Sequence, residues 1–156
     1  MDKTTSQLKT IFMKCLYESP IIVDFIDDKK IQYPDDLLGT HIFPQLKVDF
    51  TEQEQGTYIG LNISYPSISR NELYKNYTLT FLIVSNNGHL YLNGKNRTDL
   101  ISEEIIHLFN WKTDVGCQLE LKSDKEFVLD IKHYARELNF VSISNNSLDN
   151  KFRGSR

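Results

Sequence analysis

The chain has 156 residues, 40% hydrophobic and 25% charged, the composition of one ordinary globular domain. A chain of this length buries roughly 70% of the surface it exposes when unfolded, so a core forms without disulfide or metal support, and Cys15 and Cys117 read as two buried thiols in a reducing compartment. A net charge of -3 and a pI near 5.8 argue against a broad phosphate-neutralising face for duplex DNA.

No run approaches the roughly 18 apolar residues of a membrane span, and the polar start from Met1 to Gln7 has no apolar signal core behind it, so synthesis and retention in a cytoplasm are expected. The sequons at Asn62, Asn76, Asn96 and Asn145 then count as chance in an Asn-rich chain.

From Thr4 to Glu18, Leu8, Ile11, Phe12, Cys15 and Leu16 recur at three- and four-residue intervals and predict a helix with one apolar stripe, stopped by Ser19-Pro20. The short β-branched run Ile21 to Ile26 predicts a strand, leading into the acidic loop DDKKIQYPDDLLG. Leu46, Val48 and Phe50 alternate with Lys47 and Asp49 inside His41 to Phe50 and predict a half-buried strand. After the polar turn TEQEQG, Tyr58 to Tyr65 and Tyr77 to Val84 predict two more strands, joined by the long loop PSISRNELYKN.

Next comes a polar joint, NGKNRTD, and a helix with Thr98 as its cap, Asp99 in its first turn, and Ile101, Ile105, Leu108 and Phe109 as its buried stripe. Beyond Trp111, strands are expected at Cys117 to Leu121, Phe127 to Ile131 and Leu138 to Ile143, with SDKE as a turn and HYAREL as a strand or a short helical turn. The fold class expected is α+β: a mainly antiparallel sheet of about five to seven strands with two helices packed on one face. Residues 1–144 form the domain, and 145–156 form a flexible arm with Leu148 and Phe152 as its apolar anchors.

The sequence offers little reaction chemistry. His41, His89, His107 and His133 are scattered at no metal-ligand spacing, and neither a nucleophile elbow nor a glycine-rich phosphate loop occurs, so no catalytic residue, metal or cofactor is expected. One enzymatic pattern is weighed: Asp35 together with Glu120 and Lys122 has the residue types of a metal-dependent nuclease. Glu120 between Leu119 and Leu121 is also what any half-exposed strand displays. Arg97, at a strand-to-helix joint, reads as a surface residue or as a partner for a neighbouring carboxylate, on this subunit or another.

Leu8 to Leu16 followed by PIIVDF, and NYTLTFLIVSN running into GKNRTDLISEEIIHLFN, give an order of elements that resembles the tail terminator and tail completion proteins of long-tailed bacteriophages, over about residues 1–122. The resemblance implies a homohexameric ring that caps the tail tube, meets the head connector or stopper, and lets DNA pass without binding it specifically. It implies a virion location, at the neck or tail, and neither a reaction centre nor a membrane. Ring closure needs two different patches on each subunit. Ser69, Arg70, Leu73 and Tyr74 of the long loop, Leu148, Phe152 and Arg153 of the arm, and Arg97 are the expected interface residues. Asp27, Asp28, Asp35 and Asp36 are the expected lumen-facing acidic loop, by charge sign. A protein-protein adaptor using an exposed sheet edge is the competing expectation.

Overall fold

The computed structural model describes residues 3–46, 55–65, 76–112 and 118–143. Helix α1 spans Thr5–Tyr17 and opens with a capping box: the Thr4 hydroxyl accepts from the Gln7 amide, and the Gln7 side chain accepts from the Thr4 amide. Leu8, Phe12 and Leu16 are its buried face, so the expected stripe is in phase. Ser19 caps α2, Pro20–Ile26, with Pro20 at its start and Asp27 in the left-handed conformation at its end.

Helix α2 replaces the strand expected over Ile21 to Ile26. The β-branched composition favoured a strand, but the Ser-Pro start fixes a helical first turn, and Ile22 and Ile26, four residues apart, are both buried in the core. A 3₁₀ turn, Pro34–Leu37, interrupts the acidic loop, and β1 follows as Ile42–Phe43 alone. Strand β1 lies inside the span His41 to Phe50, whereas of the alternating run expected there Leu46 is exposed and outside any strand, and 47–50 lie outside the described residues.

Strands β2 (Thr57–Ser64) and β3 (Thr78–Asn86) fall where expected. A 3₁₀ turn, Asn87–His89, then leads to β4 (Tyr91–Leu92) and β5 (Lys95–Asn96). These two pair as a small hairpin, closed by Asn93 and Gly94, both at positive φ, the backbone an Asn-Gly pair adopts at little cost. Helix α3, Arg97–Phe109, starts one residue before the expected cap: Asn96 holds the cap position and Thr98 is buried within the first turn.

Strand β6, Gln118–Asp130, is continuous where two strands and a turn were expected. Its SDKE segment stays extended because it lies at a sheet edge, where charged side chains reach water from either face. Two bulges, between Leu121 and Ser123 and between Val128 and Asp130, bend it. Strand β7, His133–Ile143, includes all of HYAREL as strand.

The main sheet runs in the order β1-β2-β3-β7-β6, antiparallel except for the parallel β1–β2 pair. The α+β class and the mainly antiparallel five-stranded sheet are thus as expected, with three helices in place of two.

All three helices share one core with one face of this sheet, made by Ile59, Leu61 and Ile63 of β2, Leu79, Phe81 and Ile83 of β3, and Leu138 and Phe140 of β7. Phe109 stacks on Phe81 at 5.3 Å and meets Phe12 edge-on at 5.7 Å, and Phe140 meets Phe81 edge-on at 5.9 Å. Each such pair adds about 0.5–1.5 kcal/mol beyond its burial. Leu82, Val84 and Ala135 form a small second cluster on the opposite face. Arg136 ties the layers together, donating to Asp124 of β6 through Nε at 2.7 Å and to Asp99 of α3 through NH1 at 2.7 Å.

Candidate functional site

Two features hold the chemistry that the described residues bring together: a buried polar network under the acidic loop, and the open edge of β6.

The network centres on Thr57, at the start of β2 and 0% exposed. Its carbonyl accepts from His41 Nδ1 at 2.9 Å, and the other ring nitrogen of His41, Nε2, lies 2.7 Å from Asp28 Oδ2. Both nitrogens of His41 thus face oxygen atoms, and the ring bridges the acidic loop to the start of β2. The Lys30 amide, donating to Asp28 Oδ1 at 2.9 Å, holds the Asp28 carboxyl below its ordinary range. Partial burial opposes this, and the His41 bond reinforces it. The His41 ring stacks on Tyr58 with its centroid 5.1 Å away.

On its other side, the Thr57 hydroxyl is hydrogen-bonded to Ser85 Oγ of β3 and lies 2.9 Å from His89 Nδ1. Burial pushes the His89 imidazole towards its neutral form, and the nearby Arg97 charge pushes the same way. A neutral ring accepts at Nδ1, which lets the hydroxyl protons run in one direction, from Ser85 to Thr57 to His89.

Arg97 closes the arrangement. It is 6% exposed, its NH1 donates to the Phe25 carbonyl near the end of α2 at 2.6 Å, and its NH2 sits 3.8 Å from Asp27 Oδ2. Its Nε is buried with no partner among the described residues. The α3 joint is therefore clamped to α2, and the α2–β1 loop to β2. Thr57 and Ser85 are both fully buried, so the hydroxyls serve to hold the strands and loops in place and are not presented to a substrate.

Asp28 is thus partly buried and tied to His41, while Asp27, Asp35 and Asp36 remain exposed, with Asp36 accepting from the Tyr33 amide at 3.1 Å. Of the expected interface residues, Arg97 is turned inward within its own subunit. Ser69, Arg70, Leu73, Tyr74, Leu148, Phe152 and Arg153 lie outside the described residues. Glu120 and Lys122 pair with each other at 3.2 Å on β6, one edge of the sheet, whereas Asp35 precedes β1 at the other, so the nuclease set is not brought together. Among the described residues no three His, Cys, Asp or Glu side chains are grouped to hold a metal.

The β6 edge was missed at sequence level because SDKE reads locally as a turn. Its first residues are covered from outside by the end of α3: the Trp111 amide donates to the Leu119 carbonyl at 2.7 Å, and Asn110 Oδ1 accepts from the Leu121 amide at 3.0 Å. From Ser123 onward β6 pairs only with β7 among the described residues. There Phe127 is 37% exposed, Val128 60%, and Ile131 of the following turn 89%.

A family model described as YomW matches residues 11–142, from the middle of α1 to the end of β7. No curated protein and no solved structure matches the chain.

Proposed function

The chain belongs to the YomW family, and on that premise we propose that it is a structural virion subunit of a tailed bacteriophage. In this proposal it is a tail terminator or head-to-tail connector that forms a ring, caps the tail tube and joins it to the head. The observation that carries the proposal is the edge of β6, where Phe127, Val128 and Ile131 are exposed beside strand backbone that has no further strand partner among the described residues. An exposed edge with apolar side chains is a liability in a solitary protein and a template in one that pairs with further chains. The inward clamps add support, since Arg97, Asp28 and His41 turn their polar groups to contacts within the subunit.

Light scattering and negative-stain imaging of the purified chain test the proposal. A ring, with six copies expected, supports it, and Val128→Asp with Ile131→Asp should reduce the ring to single subunits that remain folded. A chain that stays single at every concentration and does not enter a particle would overturn it. The same edge suits strand addition by a foreign protein, the adaptor alternative. A monomer that captures an extended peptide along β6 would favour that one.

A further inference from the structure

The ring proposal leaves open what lies against β6, and β6 itself narrows the choice. Charge opposes a second β6 along the middle of the strand. Between the two bulges, Ser123 to Val128 is a regular stretch whose side chains alternate between faces. Two copies related by a two-fold axis and paired antiparallel must set residues of the same face opposite each other, which places one residue against its own copy on the axis. At the middle of the stretch that residue is Asp124, Lys125 or Glu126, and each choice sets like charges face to face. An axis at Ser123, Phe127 or Val128 avoids this but runs the pairing into one of the two bulges, so charge and bulges together favour a different strand.

We infer that the occupant is the segment 144–156 of the neighbouring subunit, added as an extra strand along Ser123–Asp130. Resting on the ring proposal, this names the contact that closes it head to tail. Two observations argue for it. On the open edge Asp124 is paired with Arg136 and Asp130 with His133, which leaves the exposed Glu126 to meet a partner, whereas 144–156 has one acidic residue, Asp149, and three basic ones, Lys151, Arg153 and Arg156. The signs are complementary, and a basic strand meets Glu126 where a second β6 would meet it with Glu126. Leu148 and Phe152, four residues apart, fall on the same face of an extended strand and supply apolar contact on the face of the edge that exposes Phe127.

Charge exchange tests the assignment in the full chain. Lys151→Glu with Arg153→Glu should weaken assembly roughly tenfold or more, and adding Glu126→Lys should restore it. Oxidation of a chain carrying Phe127→Cys and Phe152→Cys, a register that keeps Lys151 and Arg153 on the face of Glu126, should join subunits to one another, with the parent chain under the same oxidant as control. If the parent forms rings and the doubly reversed arm forms them equally well, the assignment to 144–156 falls while the ring stands. If the engineered disulfide forms only within one chain, the segment folds back on its own subunit and the inference is overturned. A parent that never assembles removes the ring and this contact together.

Discussion

Replacing Arg97 separates a clamp inside the subunit from a contact between subunits. In Arg97→Ala the chain loses the charge-assisted bond from NH1 to the Phe25 carbonyl at 2.6 Å, about 1.5–3 kcal/mol. It also loses two buried methylenes, together about 1.6 kcal/mol. Against this, the buried Nε with no partner disappears, which returns about 1–3 kcal/mol. The Asp27 contact at 3.8 Å is half in water and adds little. The net loss is about 2 kcal/mol, a fall in melting temperature of roughly 4–8 °C for a domain of this size. Arg97→Met keeps the stem and removes both the bond and the orphaned nitrogen, so it should stay within about 1 kcal/mol of the parent. Urea unfolding at several protein concentrations measures both variants. An Arg97→Ala chain as stable as the parent, or one whose loss appears only at concentrations where subunits associate, would refute the clamp.

Acid should loosen the same region. The folded His89 has its pKa below the ordinary 6.5, so its contribution to stability is complete above that value and is lost as pH falls through it towards the folded pKa. Asp28, held below 3.8, contributes above that value and fails only at lower pH. Melting temperature between pH 7 and 5 should therefore fall less in His89→Gln than in the parent, and equal slopes would count against a neutral, buried His89. Thr57→Val removes the hydroxyl shared by Ser85 and His89 and should cost about 1–3 kcal/mol, with a coupling to Ser85→Ala of at least about 0.5 kcal/mol in a double-mutant cycle. Additive effects would break the chain of hydroxyls. Ile105→Asp, at a position 0% exposed, should abolish cooperative unfolding by circular dichroism, whereas the exposed Glu103→Ala should stay within about 0.5 kcal/mol of the parent.

Periodic elements with a buried stripe were legible in the sequence because burial itself sets their spacing. Leu8, Phe12 and Leu16 mark α1, Ile101, Ile105 and Phe109 mark α3, and the β-rich runs of β2 and β3 mark the centre of the sheet. Short runs were not legible: the first residues of α2 have β-branched composition, and only the Ser19 cap and the buried pair Ile22 and Ile26 decide for a helix. Edge position also hid β6, since a strand open to water need not alternate, and its charged middle imitates a turn. The polar network was out of reach for a different reason. Asp28, His41, Thr57, Ser85, His89 and Arg97 converge through chain pairing between distant segments, and no local spacing announces a contact such as Phe25 to Arg97, 72 residues apart.

That long-range contact divides the molecule by cooperativity. The β6–β7 hairpin closes through the two-residue turn Ile131-Lys132 and is registered along its whole length, so it forms from neighbours in sequence, and β3 zips against it. Helix α2 has only seven residues, too few to persist alone, and its outer end is fastened by one guanidinium. Amide protons of α2 should therefore exchange with solvent orders of magnitude sooner than those of β3 and β7, through an opening that frees the first 40 or so residues while the sheet stays shut. In the proposed ring, this would leave the slowly exchanging side of the subunit, at β6, to meet the neighbour.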